Sequence, residues 1–125
     1  MPTHDDAMNM IISADELFRE LEEASSHAEY SITVINVLSP KQFDNCHIED
    51  SINIEAHVIG DEIDDWDRTR AIVLYCAGED PTLSRLAYTR LVEMGFTDVQ
   101  ILEGGLQEWV DCGYPTDGVC EDVGV

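Results

Sequence analysis

The sequence predicts an α/β fold, a mainly parallel sheet of four or five strands with helices on both faces. Three observations carry that reading. Residues 32–37 (Ile-Thr-Val-Ile-Asn-Val) and 71–75 (Ala-Ile-Val-Leu-Tyr) are nearly uninterrupted apolar and β-branched runs, as expected of strands covered on both faces of a parallel sheet. Other segments place apolar residues three or four apart, the period of a helix with one buried face. Strand and helix signals alternate along the chain, the pattern of parallel strands joined by helical crossovers.

Residues 1–9 read as a flexible N-terminal segment and residues 10–115 as one domain, long enough to bury a continuous core. Met10, Ile11 and Ile12 form a short apolar piece, and Ser13-Ala-Asp-Glu16 has the form of a capping box that opens a helix. Leu17, Phe18, Leu21 and Ala24 fall on one side of that helix, with Glu20, Glu22 and Glu23 elsewhere. After the run at 32–37, Ser39 reads as a cap, Pro40 as the first helical residue and Gln42 as the closing member of a second box, leaving Phe43 to face the core. Residues 51–54 form a short strand. Ala56, Ile59, Ile63 and Trp66 then recur through an acidic stretch as one or two helical turns, with Gly60 between them.

Beyond the run at 71–75, Leu83, Leu86, Ala87, Leu91 and Met94 make a helical stripe that Gly95 ends in a left-handed cap. Residues 99–102 are a further strand and Gly104-Gly105 a tight turn. A last short helix follows at 106–110, terminated by Gly113 and Pro115. Residues 116–125 read as a loose C-terminal tail.

The charge is lopsided, with 27 acidic side chains against 6 basic and a formal net charge of −21. Such a surface repels phosphate backbones and anionic membranes, which argues against nucleic-acid or membrane partners. The acids are spread along the chain, as on a solvated surface or one adapted to high salt. No apolar run approaches a membrane span, and the start lacks a basic and then apolar leader, so a cytoplasmic location is expected. Cys46, Cys76, Cys112 and Cys120 form no C-x-x-C pair, and the four histidines do not repeat at ligand spacing. No metal or cofactor is expected, and reduced thiols are the default.

The chemistry-bearing feature is the joint after residues 71–75. Cys76 ends the apolar run, a loop containing Ala77, Gly78, Glu79, Asp80, Pro81 and Thr82 follows, and a helix begins within a few residues. Ligands of open α/β sheets bind at such carboxyl ends of strands. Helix amides and the helix dipole favour a thiolate over a thiol, which makes Cys76 the candidate nucleophile. Arg85, in the first helical turn, is either an anion contact or a solvated side chain. His47 and His57 read as turn or surface residues, and Trp66 and Trp109 as packing residues.

The order of landmarks resembles a stand-alone, single-domain rhodanese-like protein. The matching pieces are residues 32–37, 39–43, 46–54, 72–76, 91–96, 103–109 and 113–115. The resemblance implies a sulfurtransferase. Its loop cysteine, here Cys76, takes sulfur from a donor, carries it as a persulfide and passes it to a thiophilic acceptor such as a thiol or cyanide, or to a protein sulfur carrier. Amides of residues 77–82 would cradle the persulfide, and no general base is needed.

Three features depart from the family pattern. Asn36-Val-Leu38 stands where an Asp-x-Arg ion pair is usual, Cys46 replaces a glycine, and the helix serine, Ser84, comes later than in the common thiosulfate-handling loops. Glu79 and Asp80 also stand where cationic residues are usual. Carboxylates there raise a thiol pKa and repel anionic donors, and Asp80 can cap the helix in competition with the thiolate. The expected donor is therefore neutral, cationic or protein-borne. The related cell-cycle phosphatases need Cys-x5-Arg, whereas eight residues separate Cys76 from Arg85. A second reading stays open, that of a catalytically weak or inactive rhodanese-like module that docks a basic protein through its acidic surface.

Overall fold

Two capping boxes set the first helices where local chemistry demands. The Ser13 hydroxyl accepts from the Glu16 amide at 3.1 Å while the Glu16 carboxylate accepts from the Ser13 amide at 3.0 Å, and Ser39 and Gln42 repeat the exchange. The computed structural model describes residues 10–25, 31–78, 80–121 and 123. Within them the order is β1 (Ile11–Ile12), α1 (Ala14–Ser25), β2 (Ile32–Asn36), α2 (Pro40–Asn45), β3 (Cys46–Ile48) and β4 (Ile52–Asn53). A 3-10 turn (Ala56–Val58) leads into α3 (Ile59–Glu62), followed by β5 (Ala71–Tyr75), α4 (Thr82–Glu93), β6 (Val99–Leu102), α5 (Gly105–Asp111) and β7 (Thr116–Gly118).

Five strands form one parallel sheet in the order β1-β6-β5-β2-β4. Successive side chains of a strand point to opposite faces, so β5 serves two cores. Ile72, Leu74 and Cys76 join Ile35, Ile59, Ile63, Ala87 and Leu91 on the side of α3 and α4. Val73 and Tyr75 join Leu17, Ile48, Leu106 and Trp109 on the side of α1 and α5. Ile35, Leu74, Leu91 and their like are wholly inaccessible, each worth about 1.5–3 kcal/mol against its exposed state.

The sheet order reverses beside Cys76. From β2 the chain moves to β4 on one side, and from β5 to β6 on the other. The crevice between the carboxyl ends of β2 and β5 is thus the switch point at which parallel sheets hold ligands. In place of an ion pair there, Asn36 is buried and its Oδ1 accepts from the Leu38 amide at 2.9 Å, while Asn53 Nδ2 donates to the Asn36 and Leu38 carbonyls. A neutral amide network closes the end of β2.

Five expectations need correction. The tail does not hang loose from residue 116, because β7 pairs antiparallel with β3, and Cys120 is joined to Cys46 by a disulfide across 74 residues. That bond also overturns the expectation of reduced thiols for this pair. Gly60 does not separate two turns but lies inside α3, where the Arg90 side chain crosses it so closely that a Cβ would sit 2.4 Å from Nε. Phe43 does not join either core and instead stacks on His47 at 3.7 Å between ring centres. Finally, the buried stripe of α4 is Ser84, Ala87 and Leu91, while Leu83 and Leu86 are exposed.

Candidate active site

Strand parity aims Cys76. It follows Ile72 and Leu74 at period two and therefore points to the α4 side, where it is 5% exposed. Its backbone is held from the other end of the site by α5. The Leu106 amide donates to the Cys76 carbonyl at 2.9 Å and the Gln107 amide to the Ala77 carbonyl at 2.8 Å. Gly105 makes this approach possible, with a φ of 62° and no side chain; a Cβ would lie 2.8 Å from the Cys76 oxygen and 2.9 Å from that of Gly78.

The sulfur meets the first turn of α4. The Ser84 amide donates to Sγ at 3.1 Å and the Ser84 hydroxyl lies 2.7 Å from it. Burial pushes the Cys76 thiol pKa up. The Ser84 hydroxyl and amide pull it down, the Asp80 charge raises it again, and the Leu83 amide lowers it, with a net upward result. The resting group is a buried thiol whose anion has donors already in place.

The expected loop residues divide. Ala77 and Gly78 are half-buried beside the cysteine, with the Ala77 carbonyl tied to α5. Asp80 is exposed, and its carboxylate accepts from the Thr82 amide at 3.0 Å and the Thr82 hydroxyl at 2.5 Å, bonds that hold its own pKa down and keep it ionised. Thr82 thus spends its amide on Asp80, although the cap position falls to Pro81 and not to Asp80 as the sequence suggests, and the amides that reach sulfur belong to Leu83 and Ser84. Pro81 accepts from the Arg85 amide at 2.8 Å and so starts the helix. Glu79 lies outside the described residues. Arg85 is exposed, and its charge is not among those that move the Cys76 pKa.

The late helix serine, Ser84, is a departure in the sequence, and the structure brings it to the sulfur. Its signal is spacing, since Ser84, Ala87 and Leu91 lie three and four apart, and a serine in the inward row of a helix facing a thiol has a partner to meet. The other candidates stay apart from the sulfur. His47 Nδ1 lies 2.8 Å from the Phe43 carbonyl and its Nε2 3.8 Å from Asp117, and His57 is exposed. Cys46 belongs to the opposite core, with the sheet between it and Cys76, so the two sulfurs do not meet. Among the described residues no three His, Cys, Asp or Glu side chains gather as a metal site requires.

The profile of the rhodanese-like domain matches residues 13–112. The chain belongs to the rhodanese-like family. A thiosulfate sulfurtransferase GlpE from Pseudomonas syringae pv. syringae is 33% identical over 98 residues, covering 78% of this chain and 90% of that protein. A protein of the same name from Pseudomonas aeruginosa is 31% identical over 96 residues, 77% of this chain and 84% of its own. Among solved structures, the BH2092 protein of Bacillus halodurans superposes with a TM-score of 0.75 over 93% of this chain and 82% of that one, at 20% identity, a likeness of fold. The rhodanese-like domain of the Anabaena Alr3790 protein gives a TM-score of 0.71 at 25% identity, covering 90% of this chain and 82% of its own. At the family level this is a rhodanese-type transferase with a sulfur donor and an acceptor as its substrates. The β3–β7 pair and the Cys46–Cys120 bond involve residues beyond the matched span.

Proposed function

We propose that this rhodanese-like protein is a sulfurtransferase in which Cys76 carries sulfane sulfur as a persulfide. The observation that supports it is the paired contact of Ser84 with a buried Sγ at the switch point of a parallel sheet. The cysteine first loses its proton to solvent. As a thiolate it accepts hydrogen bonds from the Ser84 hydroxyl and amide, groups already oriented before the charge forms. It attacks the outer sulfur of a sulfane donor; the Sγ–S bond forms, the donor's S–S bond breaks, and the leaving group departs with the electron pair. With thiosulfate that group is sulfite. Cyanide or a thiolate then attacks the terminal sulfur and leaves as thiocyanate or a new persulfide, and Cys76 is restored as thiolate. Electrons balance without an external oxidant or reductant.

Two features set the donor preference. Asp80 holds a fixed negative charge at the loop, and the whole chain carries −21, so a dianion approaches against repulsion. Neutral, cationic or protein-borne donors are favoured over free thiosulfate, and the cytoplasm is the proposed location. The net upward pull on the Cys76 pKa favours the second reading, a weakly active or inactive binding module for a basic protein. Thiocyanate formation from cyanide with thiosulfate, and with an aminoalkyl hydropersulfide of no net charge, decides between them. Turnover that Cys76→Ser abolishes supports the enzyme; no turnover with either donor supports the module.

A further inference from the structure

On the side of the sheet away from the Cys76 sulfur, an open groove of about 330 Å³ lies between α1 and the turn that joins β3 to β4. Phe18 and Leu21 of α1, with Trp109 and Pro115, give it an apolar surface. Glu22 on one wall and Glu49 and Asp50 on the other complete the lining. Internal contacts hold both walls in place. Phe18 stacks on Tyr114 at 4.2 Å between ring centres and meets Trp109 edge-on. The Pro115 carbonyl accepts from the Trp109 indole at 2.8 Å and from the Glu49 amide at 3.2 Å, and the β3–β7 pair and the Cys46–Cys120 bond lock the same two segments together. Part of the far wall, Pro115 and the β7 behind it, is built from residues outside the family profile.

We infer that this groove docks an arginine-bearing segment of a basic protein. Its three carboxylates are exposed, and none of the described lining residues is basic. Arg19, the arginine of α1, stays outside the lining, and its charge acts on Glu16 and Glu20. The occupant must therefore be cationic and must also cover apolar surface. An arginine does both: its methylene stem lies on leucine and proline, its guanidinium takes two carboxylate oxygens at once, and its plane packs on an aromatic ring. An inorganic cation gains nothing from Phe18 and Leu21, and a small organic one stays mostly wet in an open groove. A second copy of this chain brings another −21 and is repelled. The sheet separates the groove from the thiol, so this docking stands whether or not Cys76 carries sulfur.

Fluorescence anisotropy of the full chain with a labelled peptide of alternating arginine and leucine tests it. Glu49→Gln with Asp50→Asn should weaken binding at least about tenfold; asparagine tolerates the left-handed backbone at position 50, where φ is 69°. Glu62→Gln with Asp65→Asn removes two exposed charges from the α3 side and should weaken it less than about twofold, because only the diffuse field changes. The lysine version of the peptide should bind several-fold more weakly. Equal losses from the two pairs of substitutions would show that net charge and not the groove attracts the peptide, and would overturn the proposal. So would an absence of binding, equal affinity for the lysine peptide, or displacement by spermidine as effective as that by unlabelled arginine peptide. Cys76→Ser should bind unchanged, so a failure of sulfur transfer leaves this result standing; a loss of binding in that variant would contradict a site apart from the thiol.

Discussion

Ser84 meets the Cys76 sulfur with two groups at once, its hydroxyl at 2.7 Å and its amide at 3.1 Å. One belongs to the side chain and can be removed; the other belongs to the fold. Hydrogen bonds to an ion are worth about 1.5–3 kcal/mol, more than those to a neutral group. Ser84→Ala should therefore leave the protein folded and slow alkylation of Cys76 at neutral pH about tenfold, through a further rise in the thiol pKa. Unchanged alkylation would remove the hydroxyl from the account.

Burial raises the Cys76 pKa more than the helix end lowers it, which fixes the sign of the pH response. A raised pKa means that the thiolate is scarce at neutral pH and grows through the alkaline range, so alkylation should keep accelerating where a free cysteine has levelled off. Asp80→Asn keeps an oxygen for the two Thr82 bonds while removing the charge. The pH profile of alkylation should shift to lower pH, and the thiosulfate rate should rise several-fold and increase less steeply with salt.

Gly105→Ala probes the brace from α5. The site requires a φ of 62° and leaves only 2.8 Å to the Cys76 oxygen, so the new methyl displaces the loop backbone. A loss of about 1–3 kcal/mol in denaturant unfolding, with a drop in sulfur transfer, is expected. A mutant with full activity would show that the loop does not depend on this approach.

The Cys46–Cys120 bond closes a long loop and fastens β7 to β3. Cys120→Ser, or reduction, should destabilise the fold by about 2–4 kcal/mol in equilibrium unfolding. Unreduced native protein, once unfolded, should offer two thiols to alkylation, those of Cys76 and Cys112. Four alkylated cysteines would mean the bond does not form.

What the sequence made legible was local. Both capping boxes, the two core strands, the Gly95 cap and the strand-to-loop position of Cys76 depend on residues a few places apart, and each stands where that chemistry puts it. The phase of α4 was not legible, because leucines mark a face for burial only if another element covers it. The row at Leu83 and Leu86 has no such cover, and Ser84 takes the inward place one position on. Equally hidden were β7 and the Cys46–Cys120 pair, since partners 74 residues apart are set by the whole topology. Within the candidate site, the cysteine, its loop and the late helix serine could be named in advance; the contact of Ser84 with the sulfur, and the Gly105 approach from behind, needed the fold.

The most direct test of the central claim is the mass of Cys76 after exposure to a sulfane donor. Intact and peptide mass spectrometry of protein treated with an alkyl hydropersulfide or thiosulfate, without reductant, should show a gain of about 32 Da, one sulfur atom, located on Cys76 and removed by cyanide. A mass unchanged with every donor, or sulfur found on Cys112 and not on Cys76, would contradict it.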